Sequence, residues 1–138
     1  MLLSCRRCER DWSLFWRLVM WIMWITCPLE KKVLFFGISY KNEIGDLRHS
    51  PTLDLIKKFI YKKSKCYYFD PFVKEINMSQ LNKIQLLSHL KKFDLIIFCV
   101  NHLKFKKIKF VKSLSNGKTF LFDLNNVLTI DQINKIKK

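Results

Sequence analysis

Several features that would assign a protein to a class at once are missing from this chain of 138 residues. An apolar run at residues 18–27, near the start of the chain, is too short to span a bilayer, and Arg17 blocks its extension toward the N-terminus. The cysteines are odd in number and have no framework spacing, which argues for a reduced, cytoplasmic protein. The glycine-rich G-x-G-x-x-G turn of dinucleotide-binding domains is also absent. The sequence therefore argues against a stable membrane span, a disulfide framework and a dinucleotide-binding turn.

Residues 1–30 contain no lysine and no asparagine, although both are frequent afterwards. This segment instead holds every tryptophan and most of the arginines. The change at Lys31 predicts an atypical apolar leader, residues 1–30, ahead of a domain at residues 31–138. We interpret the leader as a non-native start; a signal peptide and a membrane-contacting segment are the alternatives. Cys5 and Cys8 have the spacing of half a zinc site, but no partner pair lies nearby, so no metal site is predicted.

The formal net charge of +15 would ordinarily indicate a nucleic acid or an anionic membrane as the partner. All of the lysines, however, follow residue 30 and are mixed with many isoleucines, phenylalanines and asparagines. The codons of these residues are A/T-rich, so a biased base composition explains the charge without any binding pressure. No nucleic-acid-binding motif accompanies the charge. We expect no nucleic-acid partner, and a basic nucleic-acid or membrane-surface binder remains the least favoured alternative.

From Lys31 onward, strand and helix signals alternate at the spacing of β-α-β units. Short apolar runs predict strands at residues 33–36, 66–69, 95–100 and 119–122. Three-and-four apolar spacing and cap residues predict helices at residues 51–63, 79–92 and 105–113, a turn at Asn116-Gly117, and a terminal helix capped by Asp131. Right-handed crossovers then make this a three-layer, Rossmann-like, doubly wound α/β domain with a parallel sheet of about four strands.

The stretch from the first predicted strand to the first predicted helix carries the chemistry. Gly37 ends the strand and allows a sharp turn or a close approach of the backbone. Ser50 and Pro51 then supply an N-cap and a proline at the first helical position. The loop between them lies at the carboxyl edge of the sheet, where open α/β sheets bind ligands and helix amino termini favour anions. Lys41, a flexible point charge on this loop, suits a phosphate.

Blocks of residues along the chain resemble the motifs of one family. The first block fits strand-G-x-x-Y-K-x-x-x-x-D-x-R-x-S-P, at Gly37, Tyr40, Lys41, Asp46, Arg48, Ser50 and Pro51. The later blocks are Phe69-Asp70-Pro71, Phe93-Asp94 with the following strand, Asn101-His102 with Phe105, and Phe122-Asp123 with Asn125-Asn126-Val127-Leu128. Together they resemble the C-terminal, UDP-binding domain of the UDP-glucose/GDP-mannose dehydrogenase family, the NAD-dependent nucleotide-sugar 6-dehydrogenases.

The resemblance implies a set of residues that bind a UDP-sugar. Lys41 stands where these enzymes place the lysine that meets the substrate's phosphates, and Tyr40 stands beside the uridine. Arg48 either contacts the ligand or braces the loop as a charge pair with Asp46. His102 either lines the same crevice or is a satisfied loop histidine. Asn125 occupies a substrate-binding position that is usually basic in the family, so a contact directed at a phosphate or carboxylate would be weaker here.

The resemblance also implies what this chain does not carry. The complete enzymes hold NAD on a separate Rossmann domain and a nucleophilic cysteine in a G-G-S-C-type motif. Cys66 and Cys99 instead fall inside predicted strands, as inert core cysteines. We therefore expect no cofactor and no catalytic residue in this chain, and no activity from it alone.

The function expected from the resemblance is that of the UDP-sugar-binding part of a truncated or split NAD-dependent UDP-sugar 6-dehydrogenase. Its expected partners are a UDP-sugar and a separately encoded NAD-binding and catalytic part, and the family also suggests a homodimer. The alternative is a stand-alone or degenerate nucleotide-binding module without catalysis.

Overall fold

In the computed structural model, the described residues are 2–4, 17, 30–84, 93–107 and 119–137. The strands are β1 Leu2–Ser4, β2 Lys32–Phe36, β3 Lys65–Phe69, β4 Leu81–Lys83, β5 Leu95–Phe98 and β6 Phe120–Asp123. The helices are α1 Pro51–Tyr61, α2 Leu103–Lys107 and α3 Ile130–Lys137. The strands form one six-stranded sheet in the order β1-β6-β5-β2-β3-β4. Every pairing is parallel, which confirms the predicted doubly wound α/β fold.

Both faces of the sheet are covered by helices, because successive side chains of a strand point to opposite faces. On one face Phe35 of β2 meets Phe59 of α1 edge to face, with ring centroids 5.5 Å apart. On the other face Phe36 meets Phe105 of α2, with centroids 5.4 Å apart. All of these rings are buried, and truncating one such ring to alanine typically costs about 3–5 kcal/mol. The central strand β2 is therefore fixed from both sides, and the loop that leaves it starts from a rigid base.

The elements with strong local signals lie where the sequence predicts them. The predicted strands correspond to β2, β3, β5 and β6, and the predicted helix at residues 51–63 corresponds to α1. Ser50 precedes α1 and Pro51 opens it, as predicted, but the Ser50 hydroxyl donates to the carbonyl oxygen of Ile38 at 2.6 Å instead of capping the helix. This bond ties the end of the loop back to its start.

The outer strands are additions to the predicted sheet. Leu2–Ser4 pairs with β6, although it falls in the predicted leader, and Leu81–Lys83 pairs with β3. The helix predicted at residues 79–92 is wrong at its beginning, because pairing of Leu81 with Cys66 of β3 makes this segment an edge strand. The rest of that predicted helix lies outside the described residues. The boundary predicted at Lys31 stays a prediction.

The basic helical segment predicted at residues 105–113 begins earlier in the structure, as α2 at Leu103. Its part beyond residue 107 and the turn at Asn116-Gly117 lie outside the described residues. Within the described part of the chain, none of the helices has both the length and the apolar character that crossing a bilayer requires.

The cap predicted for the terminal helix is wrong by two positions. Thr129, not Asp131, precedes α3: its hydroxyl accepts a hydrogen bond from the amide of Gln132 at 3.3 Å. The side chain of Gln132 in turn accepts one from the amide of Thr129 at 2.9 Å, which completes a capping box. Asp131 lies in the first turn, where its charge complements the helix dipole. The Gln132 side chain also donates to the carbonyl oxygen of Phe105 at 3.3 Å and so ties α3 to α2.

Candidate functional site

The carboxyl ends of the parallel strands bring the predicted site residues to one edge of the sheet. Tyr40, Lys41 and Arg48 lie on the loop between β2 and α1, which we call the β2–α1 loop, residues 38–49. His102 follows β5 and Asn125 follows β6. Since all of these strands run in the same direction, the segments that leave them meet at this edge.

The position between β2 and the β2–α1 loop has room only for glycine. Gly37 has a φ of +79°, in the left-handed region, and its amide donates to the carbonyl oxygen of Phe69 at 2.9 Å. A Cβ atom added at Gly37 would lie 2.6 Å from the Cβ of Val100, which is far closer than real carbon atoms approach. The turn predicted at Gly37 is therefore confirmed, and Val100 of the segment after β5 supplies the reason for the missing side chain.

Asp70, which follows β3, holds the start of the β2–α1 loop through hydrogen bonds. One of its carboxylate oxygens accepts from the amides of Ile38 at 2.8 Å and Ser39 at 3.2 Å and lies 3.2 Å from Nε2 of His102. The other accepts from the amide of Phe72 at 2.9 Å. Burial raises the pKa of Asp70, but the hydrogen bonds from His102 and from the amides outweigh it, so that the pKa lies below its usual range. The carboxylate thus stays ionised although its side chain is fully buried.

The sequence placed Asp70 only at the end of a strand and missed its role. The signal that could have found it is its position: an acidic residue directly after a buried strand, followed by a proline that stops the ladder. Such a carboxylate at the carboxyl edge of a sheet can accept from the main chain of the neighbouring loop.

His102 is fully buried and supports the same loop from the segment after β5. Its Nδ1 accepts from the amide of Glu43 at 2.9 Å, so the ring proton lies on Nε2. Nε2 faces the carboxylate of Asp70 and, at 3.3 Å, the hydroxyl of Ser39. Of the two roles predicted for His102, the structure shows the satisfied loop histidine. A contact of this ring with a ligand stays a prediction.

Tyr40 and Lys41 lie together on the outer side of the β2–α1 loop. Tyr40 is 48% exposed, and the Lys41 ammonium lies 5.6 Å from the centroid of its ring. Their backbone is held from both sides: the Ser39 hydroxyl donates to the carbonyl oxygen of Lys41 at 2.9 Å, and the Tyr40 amide donates to that of Asp46 at 2.7 Å. The loop therefore presents a positive charge and an aromatic face side by side from a hydrogen-bonded backbone.

Asp46 and Arg48 form the local charge pair that the sequence predicts as one of two alternatives. The guanidinium Nη2 of Arg48 lies 2.8 Å from one carboxylate oxygen of Asp46, and Nε lies 3.1 Å from the other. The amide of Arg48 also donates to this carboxylate, at 2.9 Å. These hydrogen bonds from Arg48 lower the pKa of Asp46 from 3.8 to about 2. The charge of Arg48 is thus largely compensated within the loop.

The Asp46–Arg48 pair leads to a testable pKa. In the wild-type chain we expect the Asp46 carboxyl to titrate near pH 2, followed by its ¹³C chemical shift during acidification. Because the pKa is lowered in the folded state, the contribution of the pair to stability is present above pH 3.8 and is lost as the pH falls toward 2. Arg48→Ala should return the pKa of Asp46 toward 3.8. Lys57→Ala, which removes a positive charge on α1, is the control and should leave it unchanged. An Asp46 titration that does not respond to Arg48→Ala would contradict the assigned cause.

Asn125 connects the ends of β6 and β5. The residue is exposed, and its side-chain amide donates to the carbonyl oxygen of Cys99. The buried carboxylate of Asp123 organises the same segment by accepting from the amides of Val127 at 2.9 Å and Leu128 at 3.0 Å. Burial raises the pKa of Asp123, and the hydrogen bonds from these amides partly offset this increase. The structure thus places Asn125 at the same edge of the sheet as the β2–α1 loop, while its contact with a ligand stays a prediction.

The cysteines of the described part of the chain are structural. Cys66 and Cys99 are both buried, as the sequence predicts, and neither is in a disulfide. Burial raises the pKa of the Cys99 thiol, which disfavours the thiolate that a nucleophile needs. Among the residues that the structure describes, no group of three or more histidine, cysteine or acidic side chains could hold a metal ion.

Comparison with known proteins identifies relatives of this chain. Residues 34–130 match the family described as the UDP-glucose/GDP-mannose dehydrogenase family, UDP binding domain. The chain is 29% identical over 104 residues to a UDP-N-acetyl-D-glucosamine 6-dehydrogenase of Salmonella typhi, covering 72% of this chain and 24% of that relative. It is 29% identical over 113 residues to a UDP-glucose 6-dehydrogenase of Rickettsia bellii, covering 77% of this chain and 26% of that relative.

A similar fold occurs in solved structures. The NDP-N-acetyl-D-galactosaminuronic acid dehydrogenase of Methanosarcina mazei superposes with a TM-score of 0.68 at 17% identity, covering 89% of this chain and 27% of that chain. At this identity the likeness shows the fold alone. The chain spans about a quarter of the length of the relatives it matches.

Proposed function

The chain belongs to the UDP-glucose/GDP-mannose dehydrogenase family and matches its UDP-binding domain, and on that premise we propose that it binds the UDP part of a nucleotide sugar at the β2–α1 loop. The observation that carries the proposal is the pairing of the Lys41 ammonium with the Tyr40 ring on the exposed side of this loop. A diphosphate needs a positive charge, and a uracil ring needs an aromatic or apolar face. The loop offers both within the size of one nucleotide.

The energies expected of these contacts are large enough for the loss of either one to be measurable. A hydrogen bond from an ammonium to a phosphate contributes about 1.5–3 kcal/mol, and stacking of a base on an aromatic ring contributes about 1–3 kcal/mol. The amino terminus of α1 supports the same charge, since Ser50 and Pro51 place its dipole at the end of the loop. Arg48 is already paired with Asp46 at 2.8 Å, so we expect it to contribute less than Lys41.

We propose further that binding is the part this chain contributes to an NAD-dependent UDP-sugar 6-dehydrogenase. The two relatives compared above are named as 6-dehydrogenases of UDP-sugars, and the chain corresponds to about a quarter of their length. We expect no NAD at the turn after β2, because Gly37 is followed by a long polar loop in which the next glycine is Gly45, whereas a dinucleotide fingerprint needs a short glycine-rich turn that leads directly into the helix. The cofactor and the oxidation are therefore assigned, in this proposal, to the portions of the relatives that this chain does not match.

Calorimetric titration of the full chain with UDP tests the proposal. Wild type should bind UDP, and Lys41→Ala should weaken binding by roughly 10- to 150-fold, because it removes one charge-assisted hydrogen bond. Lys57→Ala is the matched control: it removes a lysine of similar exposure on α1, where Asp54 lies 3.3 Å away, and should leave the affinity unchanged. Thermal unfolding of both variants should match wild type, because both side chains are exposed.

Two results would count against this function. If wild type does not bind UDP, the loop is not a UDP site. If wild type and Lys41→Ala bind UDP with the same affinity, the phosphate contact is assigned to the wrong residue.

A further inference from the structure

The tip of the β2–α1 loop depends on one buried ring. Glu43 at this tip has a φ of +61°, in the left-handed region that residues other than glycine rarely adopt. Its amide is held by Nδ1 of His102 at 2.9 Å, and its carboxylate accepts from the amide of Leu103 at 2.6 Å. The tip is therefore fixed to the segment after β5 through two bonds of Glu43. Lys41 lies two positions away on the same turn.

The surroundings of His102 hold its ring in one orientation. The rings of Phe72 and Phe105 lie against it, with centroids 5.0 Å and 5.2 Å away. Its Nε2 faces the carboxylate of Asp70 at 3.2 Å. Because the ring cannot turn without leaving these neighbours, Nδ1 is the atom that meets the Glu43 amide.

We propose that His102 is a positioning residue for ligand binding: its Nδ1 holds the Glu43 amide and thereby keeps Tyr40 and Lys41 in place. The effect on binding rests on the UDP site proposed above. The effect on the loop does not, because it follows from the hydrogen bonds of the free chain.

Loss of the Nδ1 acceptor would take away the partner that the Glu43 amide has in the structure. Two carboxylates lie close to the ring: Asp70 from the segment after β3, 3.2 Å from Nε2, and Glu43 from the loop, whose Oε1 lies 3.7 Å from Nδ1 and already accepts from Leu103. Without the bond from its amide to Nδ1, the loop tip keeps the bond of the Glu43 side chain to Leu103, and we expect Lys41 to shift with the released backbone.

Two substitutions to side-chain amides separate the two bonds of the ring. His102→Asn keeps an oxygen acceptor near the position of Nδ1, while it gives up the donor toward Asp70. His102→Gln keeps a donor near the position of Nε2 and gives up the acceptor for Glu43. If His102 only fills space, the two variants should behave alike apart from their stability.

The experiment uses the full chain and two readouts at neutral pH. Hydrogen exchange of the Glu43 amide, followed by NMR, reports the loop. Calorimetry with UDP reports the site. In His102→Gln we expect the protection of this amide and the UDP affinity each to fall roughly five- to tenfold below those of wild type, the size expected for one lost hydrogen bond. His102→Asn should keep the amide protection and the UDP affinity close to those of wild type.

His49 provides the control for replacing a histidine. It is exposed at the end of the same loop, with a φ of +57° that asparagine tolerates, so His49→Asn should keep the amide protection and the UDP affinity of wild type. If His49→Asn lowers the protection of the Glu43 amide as much as His102→Gln does, or if His102→Gln retains the protected amide and the UDP affinity of wild type, the inference is wrong.

The outcomes also separate this inference from the proposed function. A wild-type chain that does not bind UDP, but whose Glu43 amide responds to the variants as expected, overturns the UDP site and supports the positioning role. A chain that binds UDP without any response of the Glu43 amide to the variants overturns the positioning role alone. If His102→Gln does not fold, the comparison of His102→Asn with His102→Leu decides, because leucine fills the space without an acceptor and should lose the amide protection that asparagine keeps.

Discussion

Gly37→Ala is expected to destabilise the domain by about 2–5 kcal/mol. The new Cβ would meet the Cβ of Val100 at 2.6 Å and its backbone nitrogen at 3.0 Å, and the backbone cannot give way as the end of a flexible side chain could. The φ of +79° adds the strain of an L-residue in the left-handed region. Since Gly37 starts the β2–α1 loop, relief of the clash would also displace Tyr40 and Lys41, so UDP affinity should fall together with stability.

The measurement is urea unfolding followed by far-UV circular dichroism, which reports the loss of helices and strands. The midpoint should fall in Gly37→Ala while the slope stays that of wild type, which indicates lost stability without a change in the surface exposed on unfolding. Asn77→Ala, in an exposed connection between β3 and β4, is the control and should stay within about 0.5 kcal/mol of wild type. An equally small effect of Gly37→Ala would show that the segment at Val100 moves freely, contrary to the packing in the structure.

Asp70→Ala is the second substitution with a large expected effect, about 3–5 kcal/mol of destabilisation. It removes the carboxylate acceptor of three buried groups, the amides of Ile38 and Ser39 and Nε2 of His102, and of the partly buried amide of Phe72. Asp70→Asn keeps one oxygen and should therefore lose less. Asp54→Ala, which removes an exposed carboxylate of α1 paired with Lys57, is the control and should cost at most about 0.5 kcal/mol.

The pH dependence gives this prediction a second check. Hydrogen bonds lower the pKa of Asp70 in the folded chain, so the stability that it contributes is present above its unfolded pKa and is lost as the pH falls through the folded one. The difference in unfolding free energy between wild type and Asp70→Ala should thus shrink on acidification below about pH 4. A difference that stays constant, or that is absent at neutral pH, would show that the carboxylate does not hold the loop.

These effects have a common physical origin in the carboxyl edge of the sheet. The loop that carries Lys41 has little regular structure of its own, and its shape is set by groups from other strands: Val100 excludes a side chain at Gly37, Asp70 accepts from its first amides, and His102 holds its tip. In our proposal the exposed residues make contact with the nucleotide, while buried residues that never touch it determine the affinity.

Local sequence patterns were sufficient to predict the elements whose strand, turn and helix signals lie next to one another in the chain. The apolar run of β2, the glycine after it and the proline that opens α1 are adjacent in the chain, so the sequence predicts strand, loop and helix with nearly the observed bounds. The Asp46–Arg48 pair is equally local, because its partners are two positions apart. Terminal caps were less certain: Thr129 and Asp131 are both good caps, and only the reciprocal bonds with Gln132 select Thr129.

The sequence by itself determined the α/β alternation, the edge of the sheet at which the proposed site lies and the loop that offers Lys41, because each depends on residues close together in the chain. Only the tertiary structure decided that Leu81–Lys83 is an edge strand, since its partner β3 supplies the hydrogen bonds. It also decided that His102 lies beneath the loop, because burial depends on Phe72 and Phe105 closing over the ring from other segments. The sequence places a histidine at the edge of the sheet, but contacts between distant segments determine which way it faces.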